Sequence, residues 1–177
     1  MIKTEIDLTK FSELENKILT LEQTDTVLRT VATAMFAEMK RRIHNDGIKS
    51  NGSSIGTYSN SYLKWRLKNG FETQGNKVQL NLTGQMQNDF SVGKLNDTSW
   101  AIGFQNEFNY KKSVNAEEGR PATTVKAHKK TIKGKSVDVK SYVSKGWKGY
   151  GKIYDLTENE TKQVRLILAD FMSKFFK

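Results

Sequence analysis

Between Val78 and Phe104 the chain reads VQLNLTGQMQNDFSVGKLNDTSWAIGF, and no other stretch restricts the fold as much. Leu80 and Leu82 alternate with Gln79 and Asn81, Thr83-Gly84 breaks the run, and Met86 and Phe90 then stand four apart, as on one face of a helical turn. The spacing predicts a strand reaching Leu82, followed by a short helix or wide turn after Gly84. Phe90 and Val92 restart the alternation, Gly93 to Ser99 is rich in turn-forming residues, and Trp100, Ile102 and Phe104 alternate with Ala101 and Gly103. That pattern predicts a hairpin with a loop of moderate length, in the middle of a sheet.

Helical periodicity on either side supplies something for the sheet to pack against. Val27, Leu28, Val31, Met35, Met39 and Ile43 recur at three- and four-residue spacing after Thr24-Asp25, which offers a cap, and Asn45-Asp46-Gly47 ends the run. Lys40, Arg41 and Arg42 fall near the C-terminal end, where positive charge complements the helix dipole. Near the C-terminus, Thr157-x-x-Glu160 forms a capping box ahead of Val164, Ile167, Leu168, Phe171 and Phe175. Two weaker elements precede the first of these helices: an alternating strand over residues 2 to 8, and a short helix after Thr9 bearing Phe11, Leu14, Ile18 and Leu21. The predicted class is α+β, an antiparallel sheet packed on one side by two main helices, with a long basic hairpin and loop arms. At 177 residues this is one domain, 1–177.

The remainder is more polar. Residues 47–60 (GIKSNGSSIGTYSN) read as a flexible loop or arm, and Ser59 or Ser61 can begin a short helix carrying Tyr62, Leu63, Trp65 and Leu67 interleaved with Lys64, Arg66 and Lys68, closed by Asn69-Gly70. Such interleaving serves either to stack on nucleic acid or to pack an amphipathic helix. Lys111 to Ala122 shows no period and reads as a loop. Val125 to Lys133 and Val137 to Val143 alternate around Gly134-Lys135-Ser136, giving a second hairpin whose polar face is mainly lysine. Gly146-Trp147-Lys148-Gly149-Tyr150-Gly151 is a glycine-spaced aromatic loop, without the strand-to-helix setting or Gly-Lys-Ser/Thr ending of a phosphate loop.

Charge is concentrated in this region. The net charge of the chain is +10, and residues 111–152 hold twelve Lys or Arg against Glu117, Glu118 and Asp138. Lys126, Lys129, Lys130, Lys133, Lys135 and Lys140 are the candidates to face DNA or an acidic partner, while Trp147, Tyr150, Tyr58 and Arg120 are candidates for contact with a neighbouring subunit. Only 36% of residues are hydrophobic and 27% are charged, which suits a chain with extended polar arms better than a dense enzyme globule.

Several chemistries find no support in the residues. With no cysteine there is no disulfide, thiolate metal site or cysteine nucleophile. His44 and His128 stand far apart without acidic or histidine partners at ligand spacing and read as surface residues, and Glu117-Glu118 reads as a local offset to the basic loop. No nucleophile elbow or dinucleotide fingerprint occurs. Neither an enzyme nor a cofactor or metal site is expected. The sequence contains no run of about 18 apolar residues, and MIKTEIDLTK lacks a signal peptide's apolar core, so no membrane partner is expected.

Leu82-Thr83-Gly84-x-Met86, then Asp89-Phe90, a polar turn and Trp100-Ala101-Ile102-Gly103-Phe104, resembles the "L-x-x-T-G-x-L … S … V-x-I-G" core of tailed-bacteriophage virion morphogenesis proteins, which include Mu-like tail-completion and head-to-tail neck proteins. Other pieces follow in the family's order: an N-terminal helical region ending in Arg42-Ile43, a Lys/Arg/Trp-bearing helix before the motif, Gly119-Arg120-Pro121 after it, and Leu156-Thr157-x-x-Glu160 opening a last helix. Met86 replaces the usual leucine, and Lys152-Ile153-Tyr154-Asp155-Leu156 stands where the family has a Pro/Arg-bearing segment. The resemblance implies a structural virion protein, a ring-forming neck or tail-completion subunit joining head connector to tail. Its implied partners are further copies of itself in a hexamer or dodecamer, connector- or portal-side and tail-tube-side virion proteins, and DNA passing through the channel as a further candidate. Its implied location is the head-to-tail junction, with host cytoplasm during assembly. The alternative from charge alone is a basic nucleic-acid-binding module acting as monomer or dimer.

Overall fold

In a computed structural model the protein is described for residues 21–71, 73, 75–81, 83–132 and 134–175. The strand expected over 2 to 8, the helix expected after Thr9, and the expectations for Leu82 and Lys133 lie outside these residues. The fold is α+β.

Helix α1 (Leu21–Lys40) buries the expected stripe: Val27, Leu28, Val31, Met35 and Met39 are all 3% exposed or less, and Ile43 continues it. The helix already runs through Thr24-Asp25, so neither residue caps it. The Asp25 carboxylate instead pairs with Lys94 (3.0 Å) and accepts from Trp100 Nε1 (3.0 Å), fastening α1 to the hairpin. After Lys40 the backbone widens into a π-helical stretch, Arg41–Asp46, in which the consecutive residues Arg42, Ile43 and His44 are all buried. Gly47 closes it at φ 65°, a left-handed conformation with its own N–H donated to Arg42 O. A Cβ there would lie 2.7 Å from Val78 O, so the site requires glycine on two grounds.

Strands β1 (Phe90–Asn96) and β2 (Ser99–Phe104) form the expected antiparallel hairpin, with Phe90 opposite Phe104 and Val92 opposite Ile102. Its connection is tighter than expected. Only Asp97-Thr98 separate the strands, and Asn96 Oδ1 closes the turn by accepting from Thr98 N, Thr98 Oγ1 and Ser99 Oγ. α1 packs across both strands and against α5 (Glu158–Phe175), and Phe36, Phe90, Phe104 and Tyr154 meet at centroid distances of 5.1 to 5.7 Å where these layers join.

Three expectations are corrected. The run before Thr83-Gly84 is not a strand of this sheet: Leu80 has φ 50°, Val78 N donates to Gly56 O, and Lys77 bridges to Thr57, so the segment pairs with the chain after Gly47. That earlier chain lies on the body rather than projecting from it, because Ile55 is 4% exposed, Ile55 N donates to Gly47 O, and Ser50 bonds Lys152 O through both its amide and its hydroxyl. Lys111–Ala122 is mostly helix: α4 spans Glu107–Glu118, capped by Asn106, whose side chain accepts from Phe108 N (2.8 Å). Its buried face is Asn109, Ser113 and Ala116 while Phe108 is 61% exposed, so no apolar period marks it. The short helices α2 (Asn60–Lys68, capped by Ser59) and α3 (Gln85–Asp89, after Gly84) stand where expected.

Candidate interaction surface: a basic ribbon and its root

From the end of α4 the chain runs out and back through three short antiparallel pairs. They are β3 (Gly119–Arg120) with β8 (Trp147–Lys148), β4 (Thr123–Val125) with β7 (Tyr142–Ser144), and β5 (His128–Ile132) with β6 (Lys135–Val139). One register threads all three: Gly119 faces Lys148, Val125 faces Tyr142 and Ile132 faces Lys135, with no residue gained or lost on either side. The result is a single two-stranded ribbon, longer than the hairpin expected from the sequence, with an extent on the order of 40 Å at about 3.3 Å per residue.

The ribbon is solvated on both faces. Among its described residues most are exposed, including Tyr142 (52%) and Val143 (66%). Lys126, Lys129, Lys130, Lys135 and Lys140 are all exposed along it. The lysines do not share one polar face as expected. Cross-strand partners lie on the same side and successive residues on opposite sides, so Lys129 with Asp138 occupies one face near the tip, while Lys130 with Val137, and His128 with Val139, occupy the other. His128 is exposed as expected, with Nδ1 2.9 Å from Lys126 O.

Glycines and one carboxylate root the ribbon. A Cβ on Gly119 would run into Trp147 O, one on Gly149 into Glu117 O, and one on Gly146 would come within 2.6 Å of Ala122 N, so the two strands and the end of α4 can approach only without side chains. Returning amides then cap α4: Tyr150 N donates to Ala116 O (2.8 Å) and Gly151 N to Glu117 O (2.9 Å). The Glu117 side chain is not an offset to the basic loop. Its Oε1 accepts from Ile153 N (2.6 Å) and Tyr154 N (2.9 Å), gripping the chain as it re-enters the core.

The interface candidates Trp147, Tyr150 and Arg120 come together at this root, and Tyr58 stands beside them. Arg120 is opposite Trp147 and donates to Ser144 Oγ (3.1 Å), and Trp147 (39% exposed) meets Tyr150 edge-on at 5.3 Å. A Cβ on Gly56 would touch the Tyr150 ring at 3.4 Å, and burial followed by the fields of Tyr58 and Tyr62 raises the Tyr150 hydroxyl pKa. From Tyr58 the aromatic contacts continue through Tyr62 and Trp65 to Phe71, with the Arg66 guanidinium 5.0 Å from the Tyr58 ring centroid. Trp65 stacks on Tyr62 on one side and Phe71 on the other, which answers the question left by α2: its rings pack with one another.

Below the root sits the residue that the sequence gave least reason to single out. Arg42 is 6% exposed and donates through Nε to Glu160 Oε1 (2.9 Å), through Nη1 to Ile48 O and Ile153 O, and through Nη2 to Asp155 O. It holds the re-entering chain from beneath while Glu117 holds it from above. His44 is also buried, at 3% exposed, with Nδ1 3.0 Å from Gln79 O, which corrects its reading as a surface residue.

Among the described residues, no group of three or more His, Asp or Glu side chains is placed to hold a metal ion, and no helix is long and apolar enough to cross a membrane. No protein-family model, curated protein or solved structure matches the chain.

Proposed function

We propose that this chain is a non-enzymatic structural protein of a tailed-phage virion, a ring-forming neck or tail-completion subunit that joins the head connector to the tail. The observation that carries this reading is the division of labour within the chain: a small packed body, and a ribbon on the order of 40 Å long rooted rigidly in it yet covering none of it. A subunit that must bind neighbours on several sides gains contact area from such an extension without enlarging its core. The root also presents Trp147 and Arg120 at the surface, a residue pair of the kind enriched at the centres of protein interfaces. The order of the Leu-Thr-Gly motif, the β1–β2 hairpin and the capped last helix agrees with the resemblance to virion morphogenesis proteins.

Mass photometry of the purified chain, alone and with connector, together with electron microscopy of virions, tests this. A closed hexamer or dodecamer, and density for the chain at the head-to-tail junction, are expected. A chain that stays monomeric with connector and is missing from purified virions overturns it.

A further inference from the structure

We propose that the ribbon is a clamp for duplex DNA, seated in the major groove with its lysines on the phosphates that line it. The inference rests on the ribbon alone, so a chain that forms no ring would still show it.

Three observations carry it. First, residues 119–148 hold nine Lys or Arg against the single Asp138, which is the charge balance of a polyanion ligand. Second, the shape matches: a major groove about 12 Å wide admits a two-stranded β-ribbon, and one duplex turn of about 34 Å is comparable to the length of the ribbon. Third, exposed cations occupy both faces of the tip, Lys129 on one and Lys130 on the other. A flat acidic protein surface would meet one face and leave the other unserved. A groove about 8.5 Å deep encloses the ribbon, so that one face reaches base edges while the other lies level with the phosphate rims. The face bearing Val137, Val139 and Lys130 suits the floor, where thymine methyls and guanine N7 present apolar and acceptor groups. The face bearing Lys129, Thr131 and Ser136 supplies an ammonium and hydroxyls for phosphate oxygens. Asp138 lies on that outer face and opposes the contact, which gives the proposal a gain-of-affinity test.

Fluorescence anisotropy of the full chain with a mixed-sequence duplex, the same sequence as a single strand, and poly-glutamate, across a salt series, reads the affinities. Dimethyl sulfate methylation at guanine N7 reads the groove. The expected result is tighter binding to duplex than to either other probe, protection of guanine N7, and tighter duplex binding by Asp138→Asn. The triple variant Lys129→Ala/Lys130→Ala/Lys135→Ala, with unchanged melting, should lower the slope of log K against log salt by about 0.9 for each lysine removed and lose the N7 protection. Poly-glutamate or single strand bound as tightly as duplex, unprotected N7 in the bound complex, a salt slope unaltered in the triple variant, or no duplex binding at low salt would each overturn it.

Discussion

Arg42 and Glu160, 118 residues apart in the chain, form a buried ion pair with Nε and Oε1 2.9 Å apart, each side chain less than a tenth exposed. Both partners are shared. Glu160 Oε2 accepts from Thr157 N (2.6 Å) and the Thr157 hydroxyl accepts from Glu160 N (3.0 Å), so the capping box of α5 also orients the carboxylate toward α1. The guanidinium spends its other donors on the carbonyls of Ile48, Ile153 and Asp155.

Removing one member strands the other in a dry site. Arg42→Ala should therefore lower stability by about 3–5 kcal/mol. Glu160→Gln, which keeps an oxygen for the cap, should cost less than Glu160→Ala. Urea denaturation of the three variants measures the order, and equal stabilities for all three would show that the pair is incidental.

His44 makes stability depend on pH. Burial is the largest influence and holds its pKa below the ordinary 6.5, with the charge of Lys40 acting the same way and the bond to Gln79 O opposing. The native state thus stays neutral where the unfolded chain takes up a proton, so the unfolded state binds more protons and stability falls as pH drops below about 6.5. The loss levels off once pH passes the lowered native value. Denaturation midpoints between pH 7.5 and 5.5 should fall in the wild type and fall less in His44→Gln, and parallel profiles for the two would assign the acid sensitivity to other groups.

Leu168→Ala on α5 removes a side chain 7% exposed in the core and should cost about 2–5 kcal/mol. Leu166→Ala, two positions away and 61% exposed, should change stability by less than about 0.5 kcal/mol. Thermal melts of the pair decide whether α5 is oriented as described.

Gly149→Ala would set a methyl group against Glu117 O and force the ribbon root apart. We expect a cost of about 1–3 kcal/mol together with faster limited proteolysis within 119–148. An Ala variant with wild-type melting and the same cleavage rate would mean that the root is open in solution.

Much of the body could be read from the chain because its determinants are periodic. α1, α5 and the β1–β2 hairpin each bury an apolar set at the spacing of their own backbone, and the Thr157-Glu160 box sits where the motif places it. α4 escaped because what it buries is Asn109, Ser113 and Ala116, with the Asp89 carboxylate receiving Asn109 Nδ2 (3.1 Å), so its pattern is one of polar satisfaction rather than hydropathy. Arg42 and His44 escaped for a related reason. Flanking Ile43 in a π-helical stretch, they turn inward where a 3.6-residue period would leave at least one of three consecutive side chains facing out. The basic ribbon was visible as alternation near its tip, but its root was not, since glycine spacing signals close backbone approach without naming what approaches.

The uninterrupted register has a kinetic consequence. Glu117 must find the amides of Ile153 and Tyr154, 36 and 37 residues onward, and as an open loop that search would carry the entropy of the whole intervening chain. A hairpin that starts at Gly134 and closes pair by pair toward Gly119 and Lys148 turns the distant encounter into a succession of local ones. The part of the chain that contributes nothing to the core is then the part that delivers the two halves of the core to each other.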